Sequence, residues 1–189
     1  MTAIAGFTNK GMVWVGGDSA ASDEYHVAIR SDKKVWIADV HNEKAVVGGA
    51  GSYRVNQLIR YGLVWPKPPA KSKGVEALNR YMVIDLIDSM RECLSSRGVL
   101  LRKNEVESHE NDILVGFRGK LFVIVSDLQV ECSRLPFQAV GSGGDVALGV
   151  LDVLRSSRKF SPRQKIVMAL KAAERHTPYV RGPFEVLVA

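Results

Sequence analysis

Thr2 places a hydroxyl directly after the initiator methionine. A small residue there favours removal of Met1, which would give Thr2 a free α-amine. Such an amine titrates near pH 8, at about its reference value of 7.7–8.0, so it can take the proton of the hydroxyl beside it. A threonine activated by its own amine is one known answer to the weakness of a hydroxyl nucleophile. Asp18 closes an apolar run after Gly16 and Gly17. Lys34 opens another, Val35-Trp36-Ile37-Ala38. A lysine in that place ordinarily snorkels to solvent. Beside the Thr2 hydroxyl it would instead lower the cost of ionising that group, and a neighbouring Asp would keep it charged. Gly48-Gly49-Ala50-Gly51 and Gly141-Ser142-Gly143-Gly144 both read as strand-to-helix junctions. Backbone N–H groups at such junctions can form an oxyanion hole. The second junction could also suggest phosphate binding, but it lacks the Walker spacing and the following Lys. Each of these residues has a plain structural reading as well: a chain start, a turn aspartate, a surface lysine and two tight connections.

The elements that would position them follow from the pattern. Residues 3–7 and 12–15 are β-compatible runs joined by Asn9-Lys10-Gly11. Residues 34–40 and 44–48 form a second pair, with His41-Asn42-Glu43 as the turn. Val55, Leu58, Ile59 and Leu63 have helical spacing, ended by Pro66, Pro68 and Pro69. A second helix is expected over residues 75–96, with Leu78, Met82, Leu86 and Met90 on its apolar face. Strands return at 112–117 and 121–126 around Arg118-Gly119-Lys120, and at 137–140. A helix over about 145–156 comes next. Ser161-Pro162-Arg163-Gln164 then gives Ser at N-cap, Pro at the first helical position and Gln at the third. That helix should run to about Arg175, before a closing strand at 184–188. No repeat or linker divides the chain, so residues 1–189 are expected to form one α/β domain of two sheets between two helical layers.

Composition excludes little but sets limits. The chain has 189 residues and a formal charge of +6. The basic residues are dispersed, the densest stretch lying among prolines at 67–73, so the charge indicates solubility and no nucleic-acid partner. No membrane span, secretory signal or metal motif is expected. Cys93 and Cys132 read as reduced thiols of a cytoplasmic protein.

Thr2, Gly16-Gly17-Asp18, Lys33-Lys34-Val35, Gly48-Gly49-Ala50-Gly51 and Gly141-Ser142-Gly143-Gly144 occur in the order and spacing of proteasome β-type subunits. The chain resembles above all the bacterial proteasome-like peptidase of the HslV type. Val15 to Ser22 is similar to that family's strand and turn, and Ala139 to Gly144 to its later signature. The resemblance implies a four-layer αββα sandwich of the N-terminal-nucleophile hydrolase type. It implies a threonine endopeptidase working inside a homo-oligomeric ring on polypeptide substrates, without a cofactor. A separate ATP-dependent unfoldase would be a plausible partner. By the same resemblance Thr2 is the nucleophile, Lys34 tunes it, Asp18 partners Lys34, Gly48 N–H is the oxyanion donor, and Ser142 orients the amine. The substrate pocket would be walled by Ala21, Asp32, Val46, Ala50 and Arg54, with Asp32 and Arg54 neutralising each other or Asp32 standing free.

One region departs from the family pattern. An aspartate and a serine three residues later are often found after the penultimate helix; here the positions hold His176 and Tyr179. That motivates a second reading, a catalytically silent scaffold of the same fold in a larger assembly. A third, a nucleic-acid-binding module, would rest on the charge alone.

Overall fold

A computed structural model describes residues 1–22, 25–103 and 106–189. In chain order the elements are β1 (Ile4–Asn9), β2 (Met12–Gly17), β3 (Ala20–Ser22), β4 (Val27–Ile29), β5 (Val35–Val40), β6 (Glu43–Ala50) and α1 (Tyr53–Gly62). After a single 3-10 turn come α2 (Gly74–Arg80) and α3 (Leu86–Ser95), joined by a wider π-type turn over Tyr81–Asp85. Then follow β7 (Leu101–Lys103), β8 (Val106–Ser108), β9 (Asp112–Phe117), β10 (Lys120–Ile124), β11 (Val130–Cys132) and β12 (Phe137–Val140). The chain closes with α4 (Gly144–Leu154), α5 (Pro162–His176) and β13 (Glu185–Val188).

Two antiparallel sheets form the centre. One runs β12-β1-β2-β13, the other β11-β10-β9-β6-β5. Three apolar clusters show how they stack. Ile4, Val13, Val15, Val35, Val46, Leu114 and Leu121 fill the space between the sheets. Trp36, Val47, Ile59, Met82, Leu86 and Phe122 join the second sheet to α1, α2 and α3. Ala5, Phe7, Leu151, Ile166 and Leu170 join the first sheet to α4 and α5. The result is αββα, the layered sandwich that the order of elements implies.

Turn chemistry sets the registers. Lys10 and Gly11 both have positive φ, as do Arg118 and Gly119. Two-residue hairpins of type I′ need that conformation at both central positions. The His41 turn is shorter than expected, because Glu43 already pairs with Val40 in the β5–β6 ladder. The Ser161 capping box forms in full, with Gln164 reaching back to the cap. The helix expected over 75–96 is interrupted: its wide turn begins with the buried pair Tyr81–Met82 and leads into the buried pair Leu86–Ile87. The hairpins β3–β4 and β7–β8, and the edge strand β11, were not expected, since three-residue strands are too short to show a period. Among the described residues, no helix is long and apolar enough to cross a membrane, and no cluster of three or more metal-binding side chains occurs.

Candidate active site

The start of β1 brings Thr2 against three other segments. Glycines make this approach close. A Cβ on Gly17 would lie 2.7 Å from the Ile4 side chain, and one on Gly48 would lie 2.5 Å from it. Ile4 therefore fills a slot that both glycines leave open, which draws the first sheet onto β6. Gly141 has φ 86°, and a Cβ there would lie 2.5 Å from the Thr2 carbonyl oxygen. Both its backbone conformation and its contact demand glycine.

Within this junction Thr2 is buried, as are Asp18 and Lys34. Lys34 Nζ donates to Thr2 Oγ1 at 3.0 Å and to Asp18 Oδ1 at 2.9 Å. It also lies 3.3 Å from the Met1 carbonyl oxygen. Asp18 is held independently of the lysine. Its Oδ1 accepts from the Ala3 N–H at 3.0 Å, and its Oδ2 from Ala20 and Arg181 at 3.1 and 3.4 Å. Burial pushes the Lys34 ammonium below the usual lysine range, and the Asp18 charge and hydrogen bond oppose that shift. The Thr2 nitrogen, here a peptide N–H, donates to Ser142 Oγ at 3.1 Å, and Gly143 N–H donates to the Thr2 carbonyl at 3.1 Å. A hydroxyl, its own residue's nitrogen, a lysine and a carboxylate are thus assembled as a nucleophile site requires.

Solved structures share this architecture. BPH from Thiobacillus denitrificans, solved in complex with epoxomicin, superposes with a TM-score of 0.78 at 18% identity, over 100% of this chain and 98% of that one. HslV from Trypanosoma brucei gives 0.71 at 19% identity, over 99% and 98%. Anbu from Yersinia bercovieri, described as an ancestral beta-subunit, gives 0.69 at 15% identity, over 100% and 81%. The chain has the proteasome-type N-terminal-nucleophile hydrolase fold. No family model and no curated protein sequence matches it.

In this proteasome-type fold a cavity of about 260 Å³ opens beside Thr2, lined by Met1, Thr2, Ala50, Gly51, Glu110, Asp112, Gly141 and Ser142. Of the five expected wall residues, only Ala50 is among them. Val46 is fully buried between the sheets, against Val13 and Gly116. Ala21 pairs with Ala28 in the β3–β4 hairpin. Arg54 is exposed on the first turn of α1. Asp32 is neither free nor paired with Arg54: the Arg30 guanidinium takes both its oxygens, at 2.5 and 2.6 Å, and holds its carboxyl below the usual range. Arg30 is itself stacked on the Tyr53 ring, 4.3 Å from its centroid.

Gly49 donates its N–H to Lys34 O at 3.0 Å. Alternation along β6 then turns the Gly48 N–H toward β9, where Leu114 lies opposite. The expected oxyanion donor thus points into the ladder in this conformation. His176 is exposed at the end of α5, and among the described residues no hydrogen bond links it or Tyr179 to Thr2. The segment that does reach the site there is Arg181, through its backbone N–H to Asp18. Sequence reading missed Glu110, Asp112, Asn56 and Asn111. All four are polar residues near β9 or on α1, and a one-dimensional pattern carries no signal for their convergence.

Proposed function

We propose that the chain is a threonine peptidase whose nucleophile is Thr2 once Met1 is removed. The observation that carries this reading is the position of Lys34 Nζ, 3.0 Å from Thr2 Oγ1 and 2.9 Å from Asp18 Oδ1. Removing Met1 leaves the amine at the place of the Thr2 nitrogen, within reach of Ser142 Oγ. The amine takes the hydroxyl proton, directly or through one water, and Oγ1 attacks the substrate carbonyl. The Lys34 charge stabilises the developing alkoxide, and Asp18 keeps that charge in place. The oxyanion needs a backbone N–H. Gly48 can supply it when the substrate, or the motion admitting it, releases this N–H from the strand opposite. The proton returns to the leaving amine, and water hydrolyses the threonyl ester.

The fold shared with HslV and Anbu supports a wider reading, in which residues 1–189 act as one domain within a cytoplasmic homo-oligomeric ring. That ring would confine polypeptide substrates, with a separate ATPase able to feed it. The test is covalent. Met-free protein treated with a peptide epoxyketone should gain one inhibitor mass at Thr2, and Thr2→Ala should fold yet gain none. A Met-free, folded chain that stays unlabelled and cleaves no peptide would sink the enzyme reading.

The exposed position of His176, away from Thr2, favours keeping one second reading, the silent scaffold. N-terminal mass spectrometry of the chain from its host separates the two: a mature Thr2 start supports the peptidase, and a retained Met1 supports the scaffold.

A further inference from the structure

The cavity beside Thr2 differs in charge from the pocket expected on sequence grounds. Among the described residues that line it, Glu110 and Asp112 are the only ones with an ionisable side chain. Among the described residues no Lys, Arg or His lines it. Asp112 opens β9 opposite Ala50, and Glu110 precedes it with φ 57°. The left-handed backbone there is unusual for a non-glycine residue. The Glu110 carbonyl packs against Gly51, where a Cβ would lie 2.6 Å from it. Both residues therefore sit on backbone fixed against the β6–α1 junction, next to the nucleophile.

The two carboxylates are not neutralised from within. Among the described residues neither is joined to a cation. Asp112 is half-buried, and burial together with the nearby Glu131 charge pushes its carboxyl above the usual range. The Glu131 charge makes the Asp112 charge costlier, so a cation beside Asp112 brings relief and an anion adds to the cost. The other acid near the expected pocket, Asp32, is already satisfied by Arg30. Besides Met1, Thr2 and Ser142, the remaining walls are Ala50, Gly51 and Gly141, which bring no bulky side chain. At about 260 Å³ the cavity is smaller than the roughly 300–1,000 Å³ of drug-sized ligand pockets. It suits one side chain of an extended substrate. Removing Met1 would enlarge it on the side where that residue now stands.

We infer that this cavity selects a cationic side chain, lysine or arginine, next to the scissile bond, with Glu110 and Asp112 as the specificity-determining residues. The inference rests on the threonine-peptidase reading and names its substrate class. The substrate ammonium or guanidinium meets both carboxylates, while its scissile carbonyl lies over Thr2 Oγ1. Charge-assisted hydrogen bonds to two acceptors give both affinity and orientation. An acidic substrate side chain in the same place would face unpaired like charge and be rejected.

The experiment profiles Met-free protein against a peptide library varied at the residues flanking the cut. Lysine or arginine should dominate one flanking position. Glu110→Gln and Asp112→Asn should each lower the ratio of kcat/KM for a lysine peptide over its norleucine analogue, by about tenfold. The charge reversal Glu110→Lys should move the preference toward acidic peptides. A parent enzyme indifferent to charge, or variants that keep the parent ratio, would overturn the inference. Labelling of parent Thr2 by the epoxyketone separates the two failures: a labelled enzyme without cationic preference removes this inference alone. An unlabelled one removes the peptidase reading with it. If Asp112→Asn fails to fold, Glu110→Gln at its exposed position and the parent profile decide.

Discussion

Lys34 Nζ and Asp18 Oδ1 stand 2.9 Å apart with both side chains almost wholly buried, yet the two residues are supported unequally. Asp18 keeps three backbone N–H donors besides the lysine. Among the described residues, Lys34 has only Thr2 Oγ1 and the Met1 carbonyl as hydrogen-bond acceptors besides the aspartate, with the Tyr53 ring centroid 6.0 Å away. Breaking a buried pair costs most when it strands a charge. Asp18→Asn strands the lysine and also turns an NH₂ group onto backbone N–H donors, whichever way the amide is flipped. We expect it to cost about 3–5 kcal/mol. Lys34→Met leaves a carboxylate still solvated by backbone, and should cost clearly less. Urea unfolding of both variants checks the order. Equal losses would mean that the backbone donors do not hold the carboxylate. Both variants should lose peptidase turnover, since each removes the charge beside Thr2 Oγ1 or its anchor.

The Arg30–Asp32 pair leads to a contrasting expectation. Its side chains are about a third exposed, and such pairs contribute about 0–1 kcal/mol. Asp32→Asn and Arg54→Ala should each shift stability by less than about 1 kcal/mol and leave the flanking-residue preference unaltered. A library digest with each variant measures this. A changed preference would return Asp32 to the substrate pocket.

How much of this was legible in the sequence depends on the distance over which each feature is set. The hairpin turns at Lys10-Gly11 and Arg118-Gly119 are local, because positive φ at two adjacent residues needs only those residues and their strands. The Ser161 capping box is local too. Thr2, Asp18, Lys34 and Ser142 were legible only through the resemblance, which supplies the long-range register that periodicity lacks. That register failed at the pocket. Arg30 and Asp32 are two residues apart, and the bend at Ser31 and Asp32 goes with the pairing of their side chains, so a neighbour took the charge expected to face Arg54. Glu110 and Asp112 reach Thr2 because β9 pairs with β6, a contact across more than sixty residues of sequence. The Gly48 orientation was equally hidden, since it depends on which neighbour each β6 N–H faces.

Stability at high pH should be set partly by two tyrosines, Tyr81 buried and Tyr53 half-buried. Tyr53 donates its hydroxyl to Ala20 O, and burial pushes its pKa up to about 12. Tyr81 donates to Pro66 O, and burial pushes it up further. In both, the unfolded chain loses the phenolic proton near pH 10, before the folded one does. Between those values the folded state binds more protons, so stability falls as pH rises. The contribution is intact below about pH 10 and is lost above it. Urea midpoints measured from pH 8 to 11 should drop at the upper end. Tyr81→Phe should flatten that drop while lowering stability at pH 8, because Pro66 O loses its donor. An unchanged slope in Tyr81→Phe would show that another group controls alkaline unfolding.

The last expectation concerns the polar network behind the site. Ser52 starts α1 without a side-chain cap of its own. Asn111 brackets it instead, accepting from Ser52 N–H at 2.9 Å and donating to Ser52 O at 3.1 Å. Its Nδ2 also donates to Asn56 Oδ1 at 2.9 Å, and Asn56 Nδ2 donates to Gly49 O at 3.1 Å. The chain of bonds therefore ties the end of β6 to the start of α1 and to the segment that leads into β9, behind the Ala50–Gly51 and Asp112 walls of the cavity. Asn111→Ala leaves several buried partners unmatched and should cost about 2–3 kcal/mol. Asn111→Asp keeps the acceptor but sets an oxygen against Ser52 O and Asn56 Oδ1, so it should be no milder. Gly49 is part of the same arrangement, because a Cβ there would lie 2.0 Å from Asn56 Oδ1. Gly49→Ala should thus cost about 1–3 kcal/mol by overpacking. The clash is specific to the Asn56 amide, which makes the two positions non-additive. In an Asn56→Ala background the Gly49→Ala cost should shrink to below half. A double-mutant cycle by urea unfolding measures the coupling, and strict additivity would mean that the strand end, and not Asn56, resists the added methyl.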